Sequence, residues 1–247
     1  MTGFAHDTVV PLKNSRLPKK DQVASMFDKI AFRYDFLNRF LSAGIDIKWR
    51  KKAIDQLSTT RPKKILDVAT GTADMAILAS GRLHPTKITG IDISNGMLEI
   101  GRKKVEKAGL SKDIELLNGD SETIFFEDNS FDAVTVAFGV RNFQNLEKGL
   151  MEIRRVLKPG GKLVILEFSK PQNAGIFQLY HMYMKLVASN LGRLFSKNRE
   201  AYQYLDESIN KFPEGKNFIN ILDNLGYLNT YSKPLSLGIC SIYCGEK

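Results

Sequence analysis

The run Lys64-Ile65-Leu66-Asp67-Val68-Ala69-Thr70-Gly71-Thr72-Ala73-Asp74 limits what this chain can become more than any other stretch. A short apolar run, a cluster of small residues and then Met75-Ala76-Ile77-Leu78-Ala79 read as strand, tight turn and helix, the opening unit of a doubly wound sheet. Gly71, flanked by Ala69 and Ala73, lets backbone and a bound molecule approach where a larger side chain would clash. The next strand, Lys87-Ile88-Thr89-Gly90-Ile91-Asp92-Ile93, brings an acid to the place where a carboxylate accepts hydrogen bonds from both hydroxyls of a ribose.

What the turn lacks narrows the ligand. A dinucleotide site uses G-x-G-x-x-G and rests pyrophosphate on the helix N-terminus, whereas here Ala69 stands at the first glycine position and Asp74 lies in the first helical turn. That carboxylate repels pyrophosphate and suits a phosphate-free cofactor with a cationic end, as S-adenosylmethionine has. The pattern resembles the first motif of class I S-adenosylmethionine-dependent methyltransferases. The bland alternative is an ordinary strand-to-helix turn, so the rest of the chain has to decide.

The 247 residues fit one α/β domain with a sizeable core. No apolar run reaches the roughly 20 residues needed to cross a bilayer, and Met1 to Asp7 lack a basic segment followed by an apolar one, so a cytoplasmic location is expected. A formal charge of +9 suits an anionic surface, whether nucleic acid, lipid or an acidic partner, although a solvated basic face explains it as well. Cys240 and Cys244 share one face of a strand and imply neither a disulfide framework nor a metal site, and His6, His84 and His181 are too scattered to form one.

Residues 1–20 read as an irregular basic arm that orders on binding. From Asp21 the positions Val23, Phe27, Ile30, Tyr34, Leu37 and Leu41 recur at helical spacing, and Gly44 ends the run. A second helix from Asp46 is expected to bury Ile47, Trp49, Ala53, Ile54 and Leu57 and to turn Lys48, Arg50, Lys51 and Lys52 outward. Further helices are expected over 95–107, 146–156, 174–192 and 214–225, with Lys158-Pro159-Gly160-Gly161 ending the second of these. Strands are expected over 113–120, 131–139 and 162–169, followed by an antiparallel pair between Tyr227 and Glu246 that turns near Pro234. Strands alternating with helices predict a parallel sheet whose carboxyl ends carry the ligand site, and Asp67, Asp92, Asp120, Arg141 and Glu167 all fall at those ends. Ala137 lies in the last part of the fourth strand, and Asp120 with Ser121 can meet an adenine amino edge. The wide apolar arc over 174–192 reads either as a packed helix or as a lid that walls a greasy pocket or touches a membrane.

Two long stretches look like the signatures of the menaquinone/ubiquinone biosynthesis C-methyltransferases: Tyr34-Asp35-Phe36-Leu37-Asn38-Arg39-Phe40-Leu41-Ser42 with Trp49 downstream, and Arg155 through Ser169. Phe138-Gly139-Val140-Arg141-Asn142 and Tyr202 through Ile209 are similar to further segments of that family, and the resemblance runs from about residue 21 to the end. Asp46 departs from it, standing where the signature usually has His, and Ala69 and Ala73 replace common glycines. The resemblance implies a Rossmann-like class I methyltransferase: a seven-stranded, mostly parallel sheet with an antiparallel C-terminal hairpin and helices on both faces. It would be a single domain over 21–247 with a helical cap over about 21–60 and a lid insertion over about 172–212. It also implies S-adenosylmethionine as cofactor, held by Thr72, Asp92, Asp120 and Ser121 alongside Asp67, Gly71 and Ala137, and a lipophilic quinol as substrate. Methyl transfer would go to a ring carbon, most simply demethylmenaquinol, with a benzoquinol or dual specificity as the alternative. Arg141, Asn142, Tyr34 and Asp35 are the candidate catalytic residues, Arg141 as a cation that stabilises a phenolate. No metal is expected; peripheral contact with an anionic membrane and a homodimer are both compatible.

Rival readings fit less well. An amino-methylating nucleic-acid enzyme carries an Asn/Asp-Pro-Pro-aromatic loop after the fourth strand, where this chain reads Ala137-Phe138-Gly139-Val140-Arg141, and no nucleic acid is expected as partner. A short-chain dehydrogenase needs Tyr-x-x-x-Lys, which Tyr180 and Tyr183 do not supply. A non-catalytic protein that binds S-adenosylmethionine is the rival outside enzymology.

Overall fold

In the computed structural model, residues 4–42, 44–171, 175, 178, 182 and 199–247 are described. One seven-stranded sheet, in the order β3-β2-β1-β4-β5-β7-β6, carries the molecule. Its strands are β1 (Lys64–Val68), β2 (Lys87–Asp92), β3 (Ile114–Asn118), β4 (Phe131–Ala137), β5 (Leu157–Phe168), β6 (Leu228–Leu235) and β7 (Cys240–Glu246). β1 to β5 pair in parallel, and β7 runs antiparallel to both β5 and β6. Around the sheet stand α1 (Lys19–Leu41), α2 (Asp46–Ile54), α3 (Asp74–Leu83), α4 (Asn95–Lys107), α5 (Leu146–Val156), α6 (Arg199–Lys211) and α7 (Lys216–Asn224).

The buried strands β1 and β4 read as nearly continuous apolar runs because both faces of the sheet are covered. On one face, Ile65, Ile88, Ala133 and Val164 meet α2 and α3 through Trp49, Ile54, Met75 and Ala79; on the other, Leu66, Val134 and Ile165 meet α5 and α7 through Leu150, Ile153 and Phe218. Cys240 and Cys244 are buried free thiols in the first of these cores, on one face as their spacing predicts.

Three expectations need correction. β5 begins at Leu157, so Lys158-Pro159-Gly160-Gly161 lies within the strand as an irregularity, where the register against β4 shifts between Phe131 and Ala133. Arg50 does not face outward but is buried at 5% exposure, with its guanidinium over the Phe138 ring. The basic N-terminal stretch is irregular, but it is docked: His6 is fully buried with its ring edge-on to Phe212, and Val9 packs with Val23 and Tyr204. The helix expected over 174–192 falls largely outside the described residues. Among the described residues no helix is long and apolar enough to cross a membrane.

The turn after β1 sits directly on β2. A Cβ added to Gly90 would lie 2.6 Å from Leu116 Cδ2 and 2.8 Å from Thr70 Oγ1. Gly90→Ala is therefore expected to destabilise the fold by about 1–3 kcal/mol in urea unfolding and to weaken ligand binding at the turn; an unchanged midpoint would mean that this packing is slack.

Candidate functional site

Two carboxylates at the ends of neighbouring strands shape the turn. Asp67 is 1% exposed and accepts hydrogen bonds from Thr70 Oγ1 and Thr135 Oγ1, each at 2.6 Å. Burial pushes its pKa up, and these two hydroxyls work against that rise. Asp92 accepts the Gly71 N–H on one oxygen at 2.8 Å and the Ser94 N–H on the other at 2.9 Å. Ala69, Gly71 and Ala73 meet those restraints with φ of 53°, 56° and 65°, a left-handed backbone that favours glycine and makes the two alanines strained.

The carboxyl edge of the sheet opens into a cleft of about 630 Å³, its mouth included, which continues into a smaller lobe of about 290 Å³; Tyr34, Ala69, Gly71 and Ala137 border both. Asp92, Asp120 and Ser121 line the larger lobe, with Asn142 and the apolar Val23, Phe27, Met97, Phe138 and Phe143. Thr72, Asp67, Asp74 and Arg50 line the smaller. Phe138 reaches its place with φ of 60°, a strained conformation that turns its carbonyl toward Arg141 Nη1 at 2.7 Å and Asn142 Nδ2 at 3.4 Å. That carbonyl can only accept, so Asn142 presents Oδ1 to the Tyr204 hydroxyl, which donates at 3.0 Å. Tyr204, on α6, lies in one of the family-like segments, and no local pattern marks it as a partner of Asn142.

α1 roofs the cleft and is pinned along its length. Lys20 Nζ pairs with Asp120 at 3.0 Å, and Asp28 accepts Ser94 Oγ at 2.6 Å and the Gly96 N–H at 2.8 Å. Asp35 binds Thr72 Oγ1 and pairs with Lys104 Nζ at 2.7 Å, while Arg39 pairs with Asp74 at 2.8 Å and with Asp46. Asp46, at the usual histidine position, thus serves as a counter-ion for Arg39.

The expected site residues divide accordingly. Tyr34, Asn142, Gly71, Asp92, Asp120, Ser121 and Ala137 meet in the cleft. Asp67 and Thr72 border the smaller lobe with their polar atoms already bonded, and Asp35 is taken up by Thr72 and Lys104. Arg141 is 5% exposed, is not among the residues lining either lobe, and pairs with fully buried Glu167 at 2.7 Å. Burial opposes the Arg141 charge, but Glu167 outweighs it and holds the guanidinium protonated. The pair fixes the Val140–Asn142 turn instead of presenting a cation to the cleft. Among the described residues, no group of His, Cys, Asp and Glu is arranged to hold a metal.

The sequence matches the ubiE/COQ5 methyltransferase family over residues 15–247. This chain belongs to that family. A demethylmenaquinone methyltransferase of Bacteroides fragilis is 46% identical over 245 residues, covering 99% of this chain and 100% of the relative. A ubiquinone/menaquinone biosynthesis C-methyltransferase of Geotalea daltonii is 45% identical over 230 residues, covering 93% of this chain and 97% of the relative. The fold is shared with an S-adenosylmethionine-dependent methyltransferase structure from Methanococcus maripaludis (TM-score 0.60, 20% identity, 96% of each chain) and with one from Thermotoga maritima (TM-score 0.62, 18% identity, 91% of this chain and 99% of the other).

The cofactor of such an enzyme is S-adenosylmethionine, and the cleft fits it. The charged groups of the larger lobe are Asp92, Asp120, Glu122 and Lys20, the last already paired with Asp120, so this wall rejects phosphate and accepts hydroxyl and amino donors. Nothing stands within 4 Å of where a Gly71 Cβ would be, which leaves room for a ligand against the backbone. Burial pushes the Asp92 carboxyl up to about 6, against the pull of the Ser94 and Gly71 amides. A raised pKa favours the protonated form, while bound hydroxyl donors favour the carboxylate. Affinity for S-adenosylmethionine is therefore expected to be full above about pH 7 and to fall as pH drops through about 6 toward 5. Titration calorimetry across that range checks this, with Asp92→Asn expected to bind weakly and without the pH dependence.

Proposed function

We propose that this chain methylates a ring carbon of demethylmenaquinol, with S-adenosylmethionine as donor. The observation that carries this is the end-to-end match, at 46% identity over 99% of the chain, to a demethylmenaquinone methyltransferase. When bound, S-adenosylmethionine would supply a methyl group activated by its sulfonium and leave as the neutral thioether, and the ring carbon that takes the methyl gives up its hydrogen as a proton to water. Asp92 receives the ribose hydroxyls, Asp120 and Ser121 the adenine edge, and Gly71 and Ala137 leave the backbone close to the ligand.

The apolar lining of Val23, Phe27, Phe138 and Phe143 suits a fused aromatic ring. Holding that ring against the methyl donor is the larger part of the catalysis, since well-oriented groups gain roughly 7–11 kcal/mol of barrier. The electronic part falls to Asn142, after strand four, and Tyr34, on the roof, two of the polar side chains that line the cleft. Asn142 is turned by Tyr204 and Phe138 so that one Nδ2 hydrogen has no acceptor among the described residues; it donates to a ring oxygen and favours the phenolate, which makes the carbon electron-rich. Arg141 and Asp35 act as positioning residues, the first holding the Asn142 turn and the second tying Tyr34's helix to Thr72. Phe32 and Phe36, 71% and 60% exposed on α1, support peripheral contact with a membrane surface that holds the substrate.

Incubation with methyl-labelled S-adenosylmethionine and demethylated naphthoquinol or benzoquinol substrates, with product identification, tests the reading. Label is expected on the naphthoquinol ring carbon, and Asn142→Ala is expected to lower kcat by about 10²-fold. Label on the benzoquinol alone would move the enzyme to the other quinone, and no transfer to either ring would contradict the assignment.

A further inference from the structure

The smaller lobe of the cleft contains three charged side chains, and two of them are already satisfied. Asp67 is bonded by Thr70 and Thr135, and Asp74 by Lys104 Nζ and Arg39 Nη2. The third is Arg50, in α2. It is 5% exposed, borders the lobe, and makes no hydrogen bond to any of the described residues; its Nε is buried and unpaired. Its nearest ion partner, Asp46, stands 3.8 Å away and is already engaged by Arg39 and Ser42. The guanidinium otherwise rests on the Phe138 ring, 5.1 Å from the centroid, which fixes its plane without using its donors. Asp46, Asp67 and Asp74 answer the guanidinium through charge without accepting its hydrogen bonds, so its donors at the edge of the lobe are left for an acceptor that arrives from outside.

We infer that Arg50 is a cofactor-binding residue that takes the carboxylate of the amino-acid end of S-adenosylmethionine in the smaller lobe. This rests on the proposed cofactor but goes beyond it. The charge of Asp74 suits the cationic groups at this end of the cofactor, but Asp74 already has two cations bonded to it, whereas Arg50 has donors to give. The ligand spans both lobes, with ribose on Asp92 in the larger and the carboxylate on Arg50 in the smaller, and the Ala69–Gly71 backbone and Ala137 between them. A planar fork of donors matches a carboxylate on two oxygens, which a lysine ammonium does not.

Calorimetry with the intact chain tests the inference using three ligands: S-adenosylmethionine, its decarboxylated analogue, which keeps the sulfonium and the amine, and methylthioadenosine, which lacks the amino-acid end. The wild-type chain is expected to bind S-adenosylmethionine about 10- to 100-fold more tightly than the decarboxylated analogue. Arg50→Gln is expected to lose that preference, weakening S-adenosylmethionine alone and leaving the affinities of the decarboxylated analogue and methylthioadenosine unchanged; Arg50→Lys is expected to keep part of it. Equal wild-type affinity for S-adenosylmethionine and the decarboxylated analogue overturns the inference without any variant, as does an Arg50→Gln chain that weakens all three ligands equally. If the wild-type chain binds none of the three, it is the proposed cofactor that fails, a result distinct from the loss of this contact alone.

Discussion

Two acidic side chains at adjacent strand ends, buried Asp67 and half-buried Asp92, are the constraint that the cleft is built around. A buried carboxylate without donors costs several kcal/mol, so the chain must bring hydrogen-bond donors to both. For Asp67 they are two threonine hydroxyls, one in the turn and one on the neighbouring strand β4. For Asp92 they are two backbone amides, one in the same turn and one leading into α4. The turn between Val68 and Asp74 is thereby held from both sides, and its left-handed residues follow from these bonds. Asp92 lines the larger lobe, and Asp67, which borders the smaller one with both oxygens bonded, is the clamp.

The roof is held by different physics. β1, β4 and β5 are fixed by apolar side chains on both faces, whereas α1 is fastened over the cleft mainly by polar ties to Asp120, Ser94, Thr72, Lys104 and Asp74. Partly exposed ion pairs are each worth about 0–1 kcal/mol, far less than the packing beneath them. α1 also buries Val23, Ile30 and Ala31, so these polar ties set where the helix lies over the cleft and apolar contacts help to hold it there. The Lys20–Asp120 pair ties the roof beyond the end of β3 and the Arg39–Asp74 pair ties it to the start of α3.

The strands and most helices were legible because their apolar positions repeat with the period of the element, and the acids at strand ends were legible because topology puts ligands there. What escaped were pairings between distant parts of the chain. Arg141 lies 26 residues from Glu167 and Lys104 lies 69 from Asp35, and no local pattern announces either bond. Arg50 looked like one more outward charge in a run of basic residues, yet Asp46, Asp67 and Asp74 converge on its side of α2 only once the sheet is assembled. Lys158-Pro159-Gly160-Gly161 carries strong turn residues, and the strand absorbs them because Gly160 and Gly161 bond across to Lys247. The strand-end acids and the small-residue turn that line the cleft were thus readable, while Tyr204, which orients Asn142, and the burial of Arg50 beside the smaller lobe were not.

The central claim is that one cleft, floored by the β1 and β2 strand ends and roofed by α1, receives S-adenosylmethionine. Amide hydrogen exchange of the intact chain, with and without saturating S-adenosylmethionine, tests it most directly. Exchange is expected to slow over residues 69–74, 92–97 and 119–122 and along the cleft-facing part of α1, with β6 unchanged. Protection confined to other parts of the chain, or none at the β1 turn, would contradict the account.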